Sequence, residues 1–206
     1  MDTVIEVLIS ELESSVIWID GAFRNLDVDL KGERAIIAAG CLDVAIEHQS
    51  AMLLLCKGEM FGLLFAAQRL IFEALLRGLW FAHCATEKQL EDYIAGTGPP
   101  KYKVMIEAIE RAVGDQILPL ETYRARLEKH LHEFTHTGYL HLIRRRSAGA
   151  IGPNYSSHDL GQVINLAVLL GYQAAARLAN IFNEGELEGE ANRRLVAYGS
   201  RRQAAS

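Results

Sequence analysis

The chain has 206 residues, half of them hydrophobic and 23% charged, with a net charge of −5 and a pI near 5.8. This is the composition of a folded globular domain. It excludes a disordered chain, and it excludes a generally basic nucleic-acid-binding surface while leaving room for a local basic patch.

The N-terminus carries Asp2, Glu6 and Glu11 where a signal peptide would carry Lys or Arg, which predicts no signal peptide. Behind a cap at Asp2 or Thr3, apolar residues recur every three or four positions through VIEVLISELESSVIWI and predict a helix. RNLDVDLKGE reads as a polar connection. A long helix is predicted over Glu33–Lys57 with Gly58 as terminator, and a second over Glu59–Ala85 that is apolar on most sides. The most apolar stretch, Met60–Ala82, contains Arg69, Glu73 and Arg77; a membrane span tolerates such residues poorly, so the pattern predicts a buried helix and no membrane partner. Cys41, Cys56 and Cys84 lie within or just past these helices, form no C-x-x-C pair, and read as reduced thiols of a cytoplasmic protein.

Thr86–Gln89 has the spacing of a capping box and opens a short helix ending near Gly96. GTGPPK is a loop, after which an amphipathic helix runs from Tyr102 to Val113 and stops at Gly114. Pro119 suits the first turn of a helix running toward His136. Gly138 interrupts that pattern, Leu140–Arg146 continues it, and SAGAIGPNYSS is a second loop. Ser156–Asp159 caps a last long helix reaching about Asn183. The remainder, GELEGEANRRLVAYGSRRQAAS, is poor in apolar residues. The prediction is an all-α antiparallel helical bundle over residues 1–184, with 185–206 as a tail that is a loosely packed helix or disordered.

His132-Glu133-Phe134-Thr135-His136 matches H-E-x-x-H, the signature of zinc metalloproteases. On a helix, positions i and i+4 share a face, so both imidazoles can reach one metal while the Glu serves as base for its bound water. The continuation is a near miss to the longer H-E-x-x-H-x-x-G-x-x-H form: Gly138 and His141 each arrive one residue early, which turns a helical side chain by about 100°. The expectation is no metal and no cofactor; if any metal binds, His132 and His136 are its ligands. With His130 and His141 nearby, the plainer expectation is one exposed row (His130, Glu133, Thr137) and one partly buried row (His132, His136).

Spacing of four places Arg69, Glu73 and Arg77 on one face of the second long helix. The row is either a thin solvent face or one wall of a polar cleft, with His136, Thr137, Tyr139 and Asn165 as its candidate partners. Arg144–Arg146 and the pairs Arg193-Arg194 and Arg201-Arg202 are candidate phosphate contacts.

The segments RLIFEALLRGLWFAH, HEFTHTGYLHLIRR and NYSSHDLGQVINLAVLLGYQAAARLA together resemble a group of uncharacterised bacterial all-helical proteins over residues 35–183. These are similar to the HEPN superfamily (higher eukaryotes and prokaryotes nucleotide-binding). The resemblance implies a HEPN-like bundle, a homodimer, RNA or a nucleotide as ligand, and a place in defence or mobile elements; it names no protein partner. Many such proteins are metal-independent ribonucleases with an R-x(4–6)-H motif, which Arg77 and His83 fit as the catalytic pair. Arg124/His130 and Arg126/His132 fit the same pattern, and Gly78 stands where the family has a polar residue. The expectation is therefore a non-enzymatic binding or regulatory module. The alternatives are an endoribonuclease of this type, centred on Arg77 and His83 or on Arg69 and His136, and a metal-dependent hydrolase through His132, Glu133 and His136.

Overall fold

The computed structural model describes residues 2–204 except 115–118, 137 and 148; the side chains of 126–132, 140, 147 and 203–204 also lie outside the described set. The chain is all-α. Helices α1 (Thr3–Phe23), α2 (Glu33–Lys57), α3 (Phe61–His83), α4 (Glu87–Ile94), α5 (Tyr102–Val113), α6 (Leu120–Thr135) and α7 (Tyr139–Ile143) are followed by a two-stranded ladder, β1 (Arg146–Ser147) and β2 (Ala150–Ile151). Helices α8 (Ser157–Ile181) and α9 (Gly185–Ala204) complete the chain.

Local chemistry starts and stops these helices where the sequence signals stand. Asp2 Oδ1 accepts from the Val4 N–H at 3.1 Å, and Ser156 Oγ accepts from the Asp159 N–H at 3.1 Å. Thr86 and Gln89 form the full capping box: the Gln89 N–H donates to Thr86 Oγ1 at 3.2 Å and the Thr86 N–H donates to Gln89 Oε1 at 2.9 Å. Each bond satisfies a backbone donor that a helix N-terminus otherwise leaves orphaned. Helix α5 stops at Gly114, whose φ of +59° suits a residue without Cβ.

α3 is the central element, packed by α2, α5, α6 and α8. Leu64, Ile71, Phe72, Leu75, Leu76, Leu79 and Phe81 on it are fully buried. α2 turns back onto α3 through Gly58–Met60 and runs antiparallel to it. The register is visible at Gly78, where an added Cβ would lie 2.7 Å from Leu42 Cγ and 3.3 Å from the Ala38 carbonyl oxygen. One turn nearer the N-terminus of α2, Arg34 Nη1 donates to the Phe81 and Ala85 carbonyls at 3.0 and 2.6 Å and its other amino group pairs with Glu87. That arginine satisfies the carbonyls at the end of α3 and fastens α2 there. By length and composition α2 is apolar enough to cross a membrane, with 39% of its most apolar window buried inside the fold. Ala38, Leu42, Ala45, Met52 and Cys56 on α2 are fully buried.

Three expectations change. Residues 185–204 are a helix, as one alternative had it, but not a loosely packed one: they form α9, which buries Ala191, Leu195 and Tyr198 at helical spacing against α8. The Tyr198 hydroxyl donates to Asn165 Oδ1 at 2.6 Å, and the Arg194 guanidinium lies 4.6 Å over the Trp18 ring of α1. A short stripe among polar residues suffices because α8 and α1 supply the rest of the apolar surface. SAGAIGPNYSS is not wholly irregular, since it contains the β2 strand of the small ladder. RNLDVDLKGE is not merely polar: Leu26, Val28 and Leu30 are half-buried while Asp27 and Asp29 face outward.

Candidate functional site

The charged row on α3 forms as its spacing predicts. Glu73 accepts from Arg77 Nη2, and Arg69 Nε stands 3.5 Å from the other carboxylate oxygen. The side chains are 32% exposed for Arg69, 19% for Glu73 and 35% for Arg77, so the row is a half-open face. One carboxylate serves two guanidiniums, which leaves the row with a net positive charge. Arg77 Nε is buried and has no hydrogen-bond partner among the described residues. Tyr102 of α5 brings its phenol against Glu73 and Arg69; burial, followed by the Glu73 carboxylate, pushes that phenol above its ordinary range. Burial also raises the Cys41 thiol, with Arg77 opposing it from across the α2–α3 seam. The partners of the row thus come from α5 and α2.

The other residues expected around it stand as follows. Asn165 accepts from Tyr198 and serves the α8–α9 seam. Tyr139 is 73% exposed at the start of α7. His136 is exposed rather than partly buried, because α6 ends at Thr135 and the turn carries the imidazole outward. Thr137 lies outside the described residues.

His83, at the last turn of α3, is half-buried. Burial and then the nearby Arg177 charge hold its imidazole below the ordinary value. Arg177, on α8, is 5% exposed and 3.8 Å from Glu188 of α9. The arginine charge that acts on His83 is therefore that of Arg177, while Arg77 is engaged with Glu73 four residues earlier on its own helix.

In His132–His136, helix α6 carries the backbone of the first four residues and ends before His136. The His132 side chain lies outside the described set. The Glu133 carboxylate folds over Gly138, where an added Cβ would lie 2.6 Å from the carboxyl carbon and 3.0 Å from Glu133 Cα. The Gly138 N–H donates to the Glu133 carbonyl at 2.6 Å. Gly138 is thus the residue that lets the chain close behind α6. Among the described residues no group of three or more His, Cys, Asp or Glu is arranged to hold a metal ion.

An aromatic box that the sequence did not signal sits at the N-terminal end of α3. Phe65 stacks between Phe134 (4.8 Å between centroids) and Tyr155 (5.0 Å), and His141 packs on Phe134 at 5.2 Å. Both His141 Nε2 and the Tyr155 hydroxyl press on Gly62, at 2.8 and 3.3 Å from where its Cβ would be. His141 Nδ1 and the Tyr155 hydroxyl are buried without hydrogen-bond partners among the described residues. Only Gly62, in the first turn of α3, hinted at such close approach.

The arginine clusters are mostly committed within the fold. Arg144 pairs with Asp159, whose carboxyl burial pushes up but the Ser156 hydroxyl and Arg144 together hold below its ordinary range. Arg193 and Arg194 both pair with Glu190 at 2.8 Å, and Arg202 pairs with Glu11 of α1.

One family matches residues 42–201, from the middle of α2 to the last turn of α9. The chain belongs to DUF6988, a family of unknown function. No curated protein and no solved structure matches the chain. The DUF6988 match includes the α3 row, Tyr102, the aromatic box and the α8–α9 seam. It begins after α1 and after Gly40, so one wall of the α1–α2–α8 corner lies outside it.

Proposed function

We propose that this chain is a non-enzymatic binding module whose ligand-facing surface is the Arg69–Glu73–Arg77 row, and that the group it takes is an anion such as the phosphate of RNA or of a nucleotide. The observation that carries this reading is the unequal pairing: two guanidiniums share one carboxylate on a face about one-third open. The donors that Glu73 does not take can turn to a phosphate, and the guanidinium fork suits phosphate oxygens. Tyr102 supplies a further hydroxyl at the edge of the row. A homodimer belongs to this reading as well. Leu63 and Leu70 are 60% and 49% exposed on α3, the same helix as the row, and a second copy would cover them.

The HEPN-type ribonuclease is the second reading, and the observation favouring it is the His83–Arg177 neighbourhood. A neutral imidazole beside a guanidinium is the equipment for metal-free attack by a 2′-hydroxyl. Its weakness is access, since Arg177 is only 5% exposed.

The test is binding of a labelled RNA pool and of a nucleotide, with cleavage read from the same samples. The module reading expects retention without cleavage, and a loss of about tenfold in affinity for Arg69→Gln or Arg77→Gln, the size of one charge-assisted hydrogen bond. Unchanged affinity in both variants would remove the row from the binding surface. Chelator-resistant cleavage lost in His83→Ala would replace the module by the nuclease.

A further inference from the structure

We propose that the corner between α1, α2 and α8 is a second binding site, for a small organic cation with an apolar body: an alkyl or aromatic amine, or a quaternary ammonium. The site is a cavity of about 460 Å³, open to solvent on one side, whose lining includes Phe23, Leu26, Val28, Leu30, Gly40, Asp43 and Phe182. That volume lies within the range of small-molecule sites and admits roughly ten to twenty non-hydrogen atoms.

The apolar wall is built by two devices. The extended segment after α1 alternates, so Leu26, Val28 and Leu30 turn inward while Asp27 and Asp29 turn to solvent. Phe23 and Phe182 meet edge to face at 6.1 Å and close one side. Gly40 lines the exposed side of the site, and a Cβ there would meet nothing within 4 Å, so a side chain can be added at this edge without a clash.

The charge of the ligand follows from three observations. Asp43 is the one charged lining residue, and it has no ion-pair partner among the described residues. Phe23 is the last residue of α1, and Phe182 caps the C-terminus of α8, so two helix ends that favour cations converge on the cavity. Asp27 and Asp29 stand on the outer side of the same wall with two basic neighbours, Lys31, 3.4 Å from Asp29, and Arg24, which pairs with Asp20, so that the acidic groups there still outnumber the basic ones. The aromatic faces of Phe23 and Phe182 also receive an ammonium group well. The inference does not depend on the reading of the α3 row.

Three probes of matched shape test it by calorimetry on the full chain: 3-phenylpropylamine, 3-phenylpropanol and 3-phenylpropanoate, at neutral pH. The amine is expected to bind most tightly, the alcohol more weakly and the carboxylate least. Asp43→Asn should weaken the amine by about fivefold, the upper end for one exposed ion pair, and leave the alcohol unchanged. Gly40→Leu should abolish binding of the amine while the circular dichroism spectrum and cooperative unfolding persist, because the new side chain enters empty space. Gly40→Ala, a smaller filler, should weaken the amine without loss of fold. Equal binding of all three probes would overturn the cation assignment. Amine binding that survives Gly40→Leu would overturn the location. Absence of amine binding at millimolar concentration would overturn the site itself, as would a dimer of the wild type that Gly40→Leu dissociates, since the cavity would then be the seat of a second copy.

Discussion

Gly78→Ala and Gly40→Ala are the same substitution on neighbouring helices, and the structure predicts opposite signs. In a helix interior, Ala is preferred over Gly by about 1 kcal/mol. At Gly40 nothing lies within 4 Å of the new methyl, so that preference is realised in full. At Gly78 the methyl would lie 2.7 and 2.8 Å from two carbons of Leu42 and 3.3 Å from the Ala38 carbonyl. Leu42 is fully buried and the carbonyl is backbone, so neither can yield without moving α2 away from α3. Overpacking of this kind costs about 1–3 kcal/mol, which exceeds the propensity gain and leaves a net loss of about 1 kcal/mol. Urea unfolding should place Gly40→Ala above the wild type and Gly78→Ala below it. In a chain of this size each kcal/mol should move Tm by about 2–4 °C. A Gly78→Ala protein as stable as Gly40→Ala would refute the close approach of α2 to α3. It would also reopen the question of why glycine follows Arg77.

The His83 imidazole, lowered by burial and then by Arg177, binds its proton less readily in the folded chain than in the unfolded one. Its contribution is therefore complete above its ordinary value of 6.5 and declines as pH falls from there toward the folded value. Tm measured from pH 7.5 to 5 should fall, and His83→Gln should flatten that part of the profile; an unchanged slope would place His83 in solvent. Tyr198→Phe removes the donor to Asn165 and should cost about 1 kcal/mol, with α9 protected less from hydrogen exchange than in the wild type. Thr86→Ala breaks the capping box of α4 and should cost about 1 kcal/mol in urea unfolding, with the loss recovered by Thr86→Ser.

Much of the fold was legible because its signals are local. The ends of α2 at Glu33 and Lys57 and of α5 at Tyr102 and Val113 are written in glycines, prolines and charges a few residues apart, and the structure places them there. α9 was not legible in the same way. Its buried stripe is Ala191, Leu195 and Tyr198 within an otherwise polar run, and its ordering depends on Trp18, Asn165 and Glu11, far away in the chain. The site divides along the same line. The Arg69–Glu73–Arg77 row is a matter of spacing on one helix and could be read directly. Tyr102, Arg177 and Tyr155 reach their places by tertiary packing, which periodicity does not encode. His136 was expected to be partly buried on the assumption that α6 continues through it; the helix ends one residue sooner, and a single position decides which way the imidazole faces.

The central claim is that the α3 row binds an anionic group and that the chain does not cut what it binds. Its most direct test is a titration of labelled RNA with the wild type and the Arg69→Gln/Arg77→Gln double variant, run with chelator and with the RNA resolved by length afterwards. The account predicts a complex with the wild type, a loss of at least tenfold in affinity for the double variant, and RNA of unchanged length in both. Equal affinity for the two proteins, or RNA shortened by the wild type and spared by His83→Ala, would contradict it.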